Sequence, residues 1–312
     1  MKTWESIQQT INYIEENLGE IITLPDLAAV AHLSPFYFQR LFKKLVGRPV
    51  MEYVKLRRLA RSCQILATTQ GKILDIALAV GFNSHAYYTK TFKAAYGMTP
   101  EHYRLEKPAL NQMLQPDLTM TQVILTENDS FITEDMVLKI QHRNLTEAEY
   151  YLGIIGQLII GNNIPIGGTT GINQANTLWQ EFHQLKAELP ELFTGNIELG
   201  ASFLQDSSLD PLALSSSQTF DYFAGGKVKQ PKHSALKTWT IEPGDYIVCS
   251  FEAENTDEMR NAALAKALSY LLGTWLPRQH LITEAYSLEK YFTAPAEEAA
   301  AIEIWVAPLP MP

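Results

Sequence analysis

Cysteine is almost absent from this 312-residue chain. Cys63 and Cys249 lie far apart, a spacing that fits neither a disulfide framework nor a zinc site. Buried thiols in a reducing cytoplasm are the expectation. No apolar run reaches the roughly 18 residues that a membrane-spanning helix needs. "YLGIIGQLII" is too short, and "GNN" and "PIGG" follow it at once. The opening "MKTWESIQQTINYIEENLG" has acidic residues and a helical period where a signal peptide would need an apolar stretch. The sequence therefore predicts a cytoplasmic protein with no membrane partner. The seven histidines are scattered, and no H-E-x-x-H, G-x-S-x-G or Walker sequence occurs. "GGTTG" at 167–171 lacks the lysine of a phosphate loop and reads as a turn or pocket rim, while "YFAGG" reads as a strand-end turn. Neither an enzyme nor a cofactor or metal is expected.

Acidic residues are scarce in one region only. Residues 1–107 hold 14 Lys and Arg against 9 Asp and Glu, a balance of +5, and within 31–107 the count is 13 to 4. Residues 108–312 hold 11 against 25, a balance of −14. An overall pI of 5.3 thus hides a basic module joined to an acidic one, and only the first suits a nucleic-acid partner.

What is present in the basic module is helical periodicity. Ile7, Ile11, Ile14 and Leu18 recur at spacings of one helix face. Leu24, Leu27, Ala28 and Ala31 mark a short second helix, and Ser34 followed by Pro35 can start a third, "FYFQRLFKKLV", closed by Gly47. A longer helix of about 20 residues follows, spanning about 30 Å. The pattern then restarts. An offset of 50 superimposes Ser34 on Ser84, Phe38 on Tyr88, Phe42 on Phe92, Lys43 on Lys93, Gly47 on Gly97 and Tyr53 on Tyr103.

Two short-helix, turn, second-helix units on a basic module could be a bundle with a solvated face or a pair of DNA readers. The duplication and the length of the connecting helix, near the ~34–36 Å of one DNA turn, favour readers in successive major grooves. On the first such helix Phe36, Gln39 and Arg40 are outward candidates for base edges, and on the second His85, Ala86, Thr89 and Lys90. Glutamine suits adenine, arginine suits guanine, and an apolar group suits the thymine methyl. Lys43, Lys44, Arg57, Arg58, Lys93 and Arg104, with Ser34 and Ser84 at the helix starts, are candidates for phosphate contacts, which position without specifying.

Residues 108–119 carry two prolines and read as a linker. Beyond it the period shifts towards 2. "MVLKIQHR", "GNIELGASFL", "TFDYFAGGKV", "ALKTWTI", "DYIVCSFEA" and "AAIEIWVAPL" are strand-like, and "INQANTLWQEFHQLKAEL" and "NTDEMRNAALAKALSYLLGTWL" are helical. The expected layout is an all-α domain at 1–107, a linker at 108–119 and an α+β domain at 120–312.

The run "SPFYFQRLFKKLVGRPVMEYVKLRRLARSCQIL", then "ILDIALAVGFNSHAYYTKTFKAAYGMTPEHYR", resembles the DNA-binding domain of AraC/XylS-family transcriptional regulators through most of residues 8–105. The resemblance implies one chain with two helix-turn-helix motifs on double-stranded promoter DNA, read by Phe36, Gln39 and Arg40 and then by His85, Ala86 and Lys90. Ala86 and Lys90 stand where more polar residues or Arg are common, which implies that the second helix reads fewer bases. RNA polymerase is the implied protein partner. A monomer on DNA is expected, with dimerisation through the second domain as the alternative.

From about 120 to 309, "LWQEF", "FDYFAGGKV", "IEPGDYIVCSFE", "SLEKYF" and "IEIWVAPL" resemble the GyrI-like effector-binding domain of Rob-type and multidrug-responsive regulators. That implies two pseudo-symmetric halves, each a helix with antiparallel strands, and a pocket for a small lipophilic, cationic or drug-like effector. Glu289 sits where the family's acidic residue is expected. Trp179, Phe203, Tyr222, Tyr246, Trp275, Tyr286, Tyr291 and Trp305 are candidate wall residues. Two alternatives stand beside this reading. One is an effector-independent regulator with a vestigial or partner-binding second domain. The other is a small-molecule hydrolase using Glu289 with Tyr222 or Tyr286.

Overall fold

The structure, a computed structural model, describes residues 3–123, 125–127, 129–132, 136–159, 170–204, 219–231, 235–253, 262–292 and 301–311. These fall into two compact units. One holds 3–123 with 170–173, and the other holds the described parts of 125–159 and 174–311.

The first unit contains α1 (Thr3–Glu16), α2 (Leu24–Val30), α3 (Pro35–Val46), α4 (Val50–Thr68), α5 (Ile73–Ala79), α6 (His85–Tyr96) and α7 (Pro100–Glu106). The offset of 50 is a copied ring triad. Phe38 meets Phe42 at 5.7 Å, and Phe42 meets Tyr53 at 5.6 Å. In the second copy Tyr88 meets Phe92 at 5.8 Å, and Phe92 meets Tyr103 at 5.9 Å. All six rings are buried. Gly47 and Gly97 end α3 and α6 at φ 79° and 78°, a left-handed turn that a side chain strains. The two starts differ. Ser84 accepts a hydrogen bond from the Tyr87 N–H, whereas the Ser34 side chain makes no such bond.

The segment at 108–119 does not run free. Met113 and Leu118 are buried in this unit's core, and the Leu118 N–H donates to Gln8 Oε1 at 2.8 Å. β1 (Leu110–Asn111) pairs with β5 (Gly171–Ile172). Of "GGTTG", residues 167–169 lie outside the described residues.

The second unit is built on one antiparallel sheet. Its strands are β2 (Ser130–Ile132), β3 (Met136–Leu145), β4 (Glu149–Ile159), β6 (Ile197–Phe203), β7 (Thr219–Val228), β8 (Lys237–Ile241), β9 (Gly244–Ala253), β11 (Tyr286–Phe292) and β12 (Ala301–Val306). They lie in the order β2-β3-β9-β12-β11-β6-β7-β4-β8, and β10 (Leu281–Thr283) pairs separately with β13 (Pro308–Pro310). The two anticipated halves are thus merged into nine continuous strands. "YFAGG" is strand interior in β7, not a strand-end turn. Gly225 lets Leu152 and Phe223 approach more closely than any Cβ would permit.

Connectivity shows that this sheet curls. β8 is an edge strand six positions from β9, about 29 Å away in a flat sheet. Only Glu242 and Pro243 separate the two strands, and three Cα–Cα steps reach no further than about 11 Å. The β8 edge must therefore bend back towards β9. One buried cluster inside the curl joins Tyr151 (β4), Phe223 (β7), Ile241 (β8), Tyr246 (β9), Leu288 (β11) and Trp305 (β12). The opposite face carries α8 (Gln174–Glu188), through Leu178 and Phe182.

Candidate functional site

On the first unit the outward residues of α3 and α6 are placed as their periodicity predicts. Phe36, Gln39, Arg40, Lys43 and Lys44 are exposed on α3, and His85, Ala86, Lys90 and Lys93 on α6. Phe36 is 72% exposed, and the Arg40 guanidinium lies 5.9 Å from its ring centre. His85 Nε2 is 3.6 Å from Glu101 Oε1. Thr89, expected to point outward, is half-buried with its hydroxyl shielded.

Three of the expected phosphate contacts face inward instead. Arg57 donates from Nε and Nη2 to the two carboxylate oxygens of Glu15, each at 2.8 Å, and from Nη1 to the Met113 carbonyl. Burial lowers its pKa, but the Glu15 carboxylate outweighs this and the net shift is upward. Arg58 donates to the carbonyls of Leu18, Gly81 and Glu20 at 2.7–2.9 Å. Arg104 donates to the Gly71 carbonyl at 2.7 Å. These guanidiniums brace the helices. A planar five-donor group suits that task where carbonyls converge.

In the second unit β11 decides the chemistry. Successive side chains alternate faces, so Glu289 and Tyr291 point towards α8 while Leu288 and Lys290 point into the curl. Glu289 is 4% exposed. Its Oε2 accepts from the Tyr222 hydroxyl at 2.9 Å and from the Tyr291 hydroxyl at 2.6 Å. Trp179 of α8 completes the cluster, donating from Nε1 to the Tyr222 oxygen at 3.2 Å and standing edge-on to Tyr291 at 5.3 Å. No cation contacts Glu289 among the described residues. Burial pushes its carboxyl up, and the hydrogen bonds from Tyr291 and Tyr222 offset this only in part.

Glu198, paired in register with Tyr291, shows the opposite balance. Burial raises it, but His183 at 3.0 Å and Lys186 at 2.7 Å hold it below the usual carboxylate range. Gly200, paired with Glu289, has no side chain for a reason: a Cβ there would collide with the Tyr222 oxygen and come within 3.0 Å of Glu289 Oε2. The sequence reading missed Gly200, Glu198 and His183. Strand alternation from Glu289 and helical spacing from Trp179 were the signals that could have found them.

The expected wall divides. Glu289, Trp179, Tyr222 and Tyr291 come together on the α8 face. Phe203 and Tyr286 instead pack on Trp239 inside the curl, at 4.9 and 6.2 Å. Tyr246 packs on Trp305 at 5.4 Å, inside the curl as well. Trp275 is buried elsewhere, its Nε1 donating to the Leu125 carbonyl at 3.1 Å. Strand parity puts Phe203, Tyr246, Tyr286 and Trp305 on the opposite face from Glu289, and Trp275 sits on a helix away from both groups.

Comparison with known proteins agrees with this division into two parts. A helix-turn-helix domain profile matches residues 27–106, and the profile of the GyrI-like small molecule binding domain matches 167–307. The chain is 36% identical over 108 residues to the HTH-type transcriptional activator AarP of Providencia stuartii, covering 35% of this chain and 80% of that one. It is 44% identical over 100 residues to an HTH-type regulator, YbfP, of Bacillus subtilis, but that match spans only 34% of the relative's length and 32% of this chain. Over 299 residues it is 24% identical to the right origin-binding protein of Escherichia coli, 95% of this chain and 92% of the relative. Among the described residues no helix is long and apolar enough to cross a membrane, and no cluster of His, Cys, Asp and Glu could hold a metal. With a helix-turn-helix DNA-binding domain followed by a GyrI-like small-molecule-binding domain, the chain belongs to the AraC/XylS-type transcriptional regulators.

Proposed function

We propose that this regulator binds promoter DNA as a monomer through α3 and α6, senses a small lipophilic cation at Glu289, and presents the resulting complex to RNA polymerase. Glu289 carries the sensing half. A carboxyl buried among rings and bonded only to hydroxyls is costly to ionise, and a cation arriving with its own apolar surface compensates that charge. Trp179 and Tyr291, both half-buried, are the rings such a ligand would displace or stack upon. The resemblance of this domain to the binding domain of multidrug-responsive regulators makes an aromatic monocation a suitable first ligand. Calorimetry of the full chain with tetraphenylphosphonium tests the proposal. Saturable 1:1 binding that weakens at least about tenfold in Glu289→Gln supports it, and equal affinity in the variant overturns it.

On the DNA side, Gln39 and Arg40 present planar, bidentate groups, whereas α6 offers Ala86 and Lys90. The first helix is therefore assigned the greater share of sequence discrimination. Gln39→Ala or Arg40→Ala should relax operator preference, by about 1–3 kcal/mol per lost base contact. Lys90→Ala should weaken binding to all sequences alike and reduce its salt dependence. An equal loss of preference in all three variants would reverse the assignment. An effector changes DNA occupancy only through unequal affinity for two states of the regulator, so operator binding measured with and without ligand is the companion test.

A further inference from the structure

The curl creates a cavity that Glu289 does not touch. Where β8 passes to β9 through Glu242 and Pro243, a space of about 440 Å³ opens beside Leu288, on the face of the sheet opposite Glu289. Its walls are the rings of Trp239, Tyr246 and Tyr286, and Glu242, Asp245 and Glu284 stand around it. Among the described residues that line it there is no Lys, Arg or His.

The walls are fixed from behind. Trp239 packs on Phe203 at 4.9 Å and Phe223 at 5.8 Å, with Tyr286 edge-on at 6.2 Å. The Tyr246 hydroxyl donates to the Glu242 carbonyl at 2.8 Å, tying the connecting turn to the wall. Asn144 Nδ2 donates to Asp245 Oδ1 at 2.6 Å, which orients that carboxylate. The three acids are exposed, so they meet a ligand as hydrated charges rather than as a buried one.

We propose that this cavity is a second small-molecule site, on the inner face of the curled sheet, and that it takes a compact aromatic or quaternary ammonium cation. Its size falls within the range of ligand pockets, and the curled sheet gives it a concave, ring-lined wall. Rings attract cations through their faces, and a single-sign rim raises the local concentration of the opposite charge. An anion would meet three carboxylates and no compensating base. The site is independent of the sensing role given to Glu289, because strand parity puts the two on opposite faces.

The test uses the full chain and phenyltrimethylammonium, with benzyl alcohol and benzoate as uncharged and anionic comparators. The indole N–H resonance of Trp239, identified by its loss in Trp239→Phe, is followed during titration. The expected result is a saturable shift with phenyltrimethylammonium, absent or much weaker with the comparators. Affinity should fall about tenfold in the combined variant Glu242→Gln, Asp245→Asn, Glu284→Gln and stay unchanged in Glu289→Gln. The proposal is overturned by an unmoved Trp239 signal, by equal response to benzyl alcohol or benzoate, or by loss of binding in Glu289→Gln with the rim variant unaffected. Since only the last outcome leaves Glu289 as the binding group, failure here and failure of the sensing proposal are distinguishable.

Discussion

Glu289 and Lys290 are consecutive residues, 4% and 3% exposed, and they live in opposite electrostatic worlds. Lys290 Nζ lies 2.7 Å from Glu149 Oε2 and 3.6 Å from the centre of the Trp305 ring. Glu149 also accepts from Lys227 at 2.9 Å and from the Tyr151 hydroxyl at 2.7 Å. Burial alone would raise Glu149, yet Lys290, Tyr151 and Lys227 together hold it down to about 2. Glu289 has two tyrosines and, among the described residues, no base, and burial prevails. The difference teaches that burial by itself does not mark a ligand site. A compensated charge is architecture, and an uncompensated one is the feature on which the sensing proposal rests.

The comparison can be broken most forcefully at Glu149. Glu149→Ala leaves the Lys290 ammonium buried without its carboxylate, and a loss of about 3–5 kcal/mol is expected. Thermal unfolding measures it, and replacing both residues by Leu and Met should recover most of the loss. Next is Gly200→Ala, which forces the Tyr222 hydroxyl off Glu289. Overpacking of this kind costs about 1–3 kcal/mol, read from urea denaturation, with a parallel loss of ligand affinity.

The smallest change in stability is expected from Glu289→Gln. The amide keeps both tyrosine contacts and removes the group that resists ionising, so stability at neutral pH should stay within about 1 kcal/mol of the parent or rise. Its pH dependence sharpens the contrast, because the two acids pull in opposite directions. Glu149 has a lowered folded pKa, so its contribution is complete above the ordinary carboxylate range and is lost as pH falls towards about 2. Glu289 has a raised folded pKa, so stability declines as pH climbs from the ordinary range through that raised value. Denaturation across pH should show Glu149→Gln flattening the acid limb and Glu289→Gln flattening the decline above it. Identical profiles would mean that neither group titrates as its surroundings dictate.

The helical half was legible because its determinants are local. Periodicity located α1 to α6, and an offset of 50 found the ring triads. The bracing roles of Arg57 and Arg58 were not legible. Their acceptors, Glu15, Met113 and the carbonyls of Leu18, Glu20 and Gly81, lie 23 to 56 residues away in sequence. In the second half most strands could be read, but not their order. "ALKTWTIEPGDYIVCSFEA" has every mark of a hairpin, yet β8 pairs with β4 and β9 with β3 and β12. With the order unknown, Tyr246 and Tyr286 could not be separated from Tyr222 and Tyr291, though parity along "YSLEKYF" already divides Tyr286 from Glu289.

The duplicated ring triad has a consequence for how such a regulator can change. Stability in α3 and α6 resides in rings that face inward and in glycines that close each helix, while Phe36, Gln39, Arg40, His85, Ala86 and Lys90, the positions proposed to read bases, are exposed outside that frame. On that proposal recognition can drift at little folding cost. Grafting Phe36, Gln39 and Arg40 onto the corresponding α6 positions, Ala86, Thr89 and Lys90, should retarget the protein while leaving its melting behaviour nearly untouched, with the half-buried Thr89 the one position where the graft meets the frame.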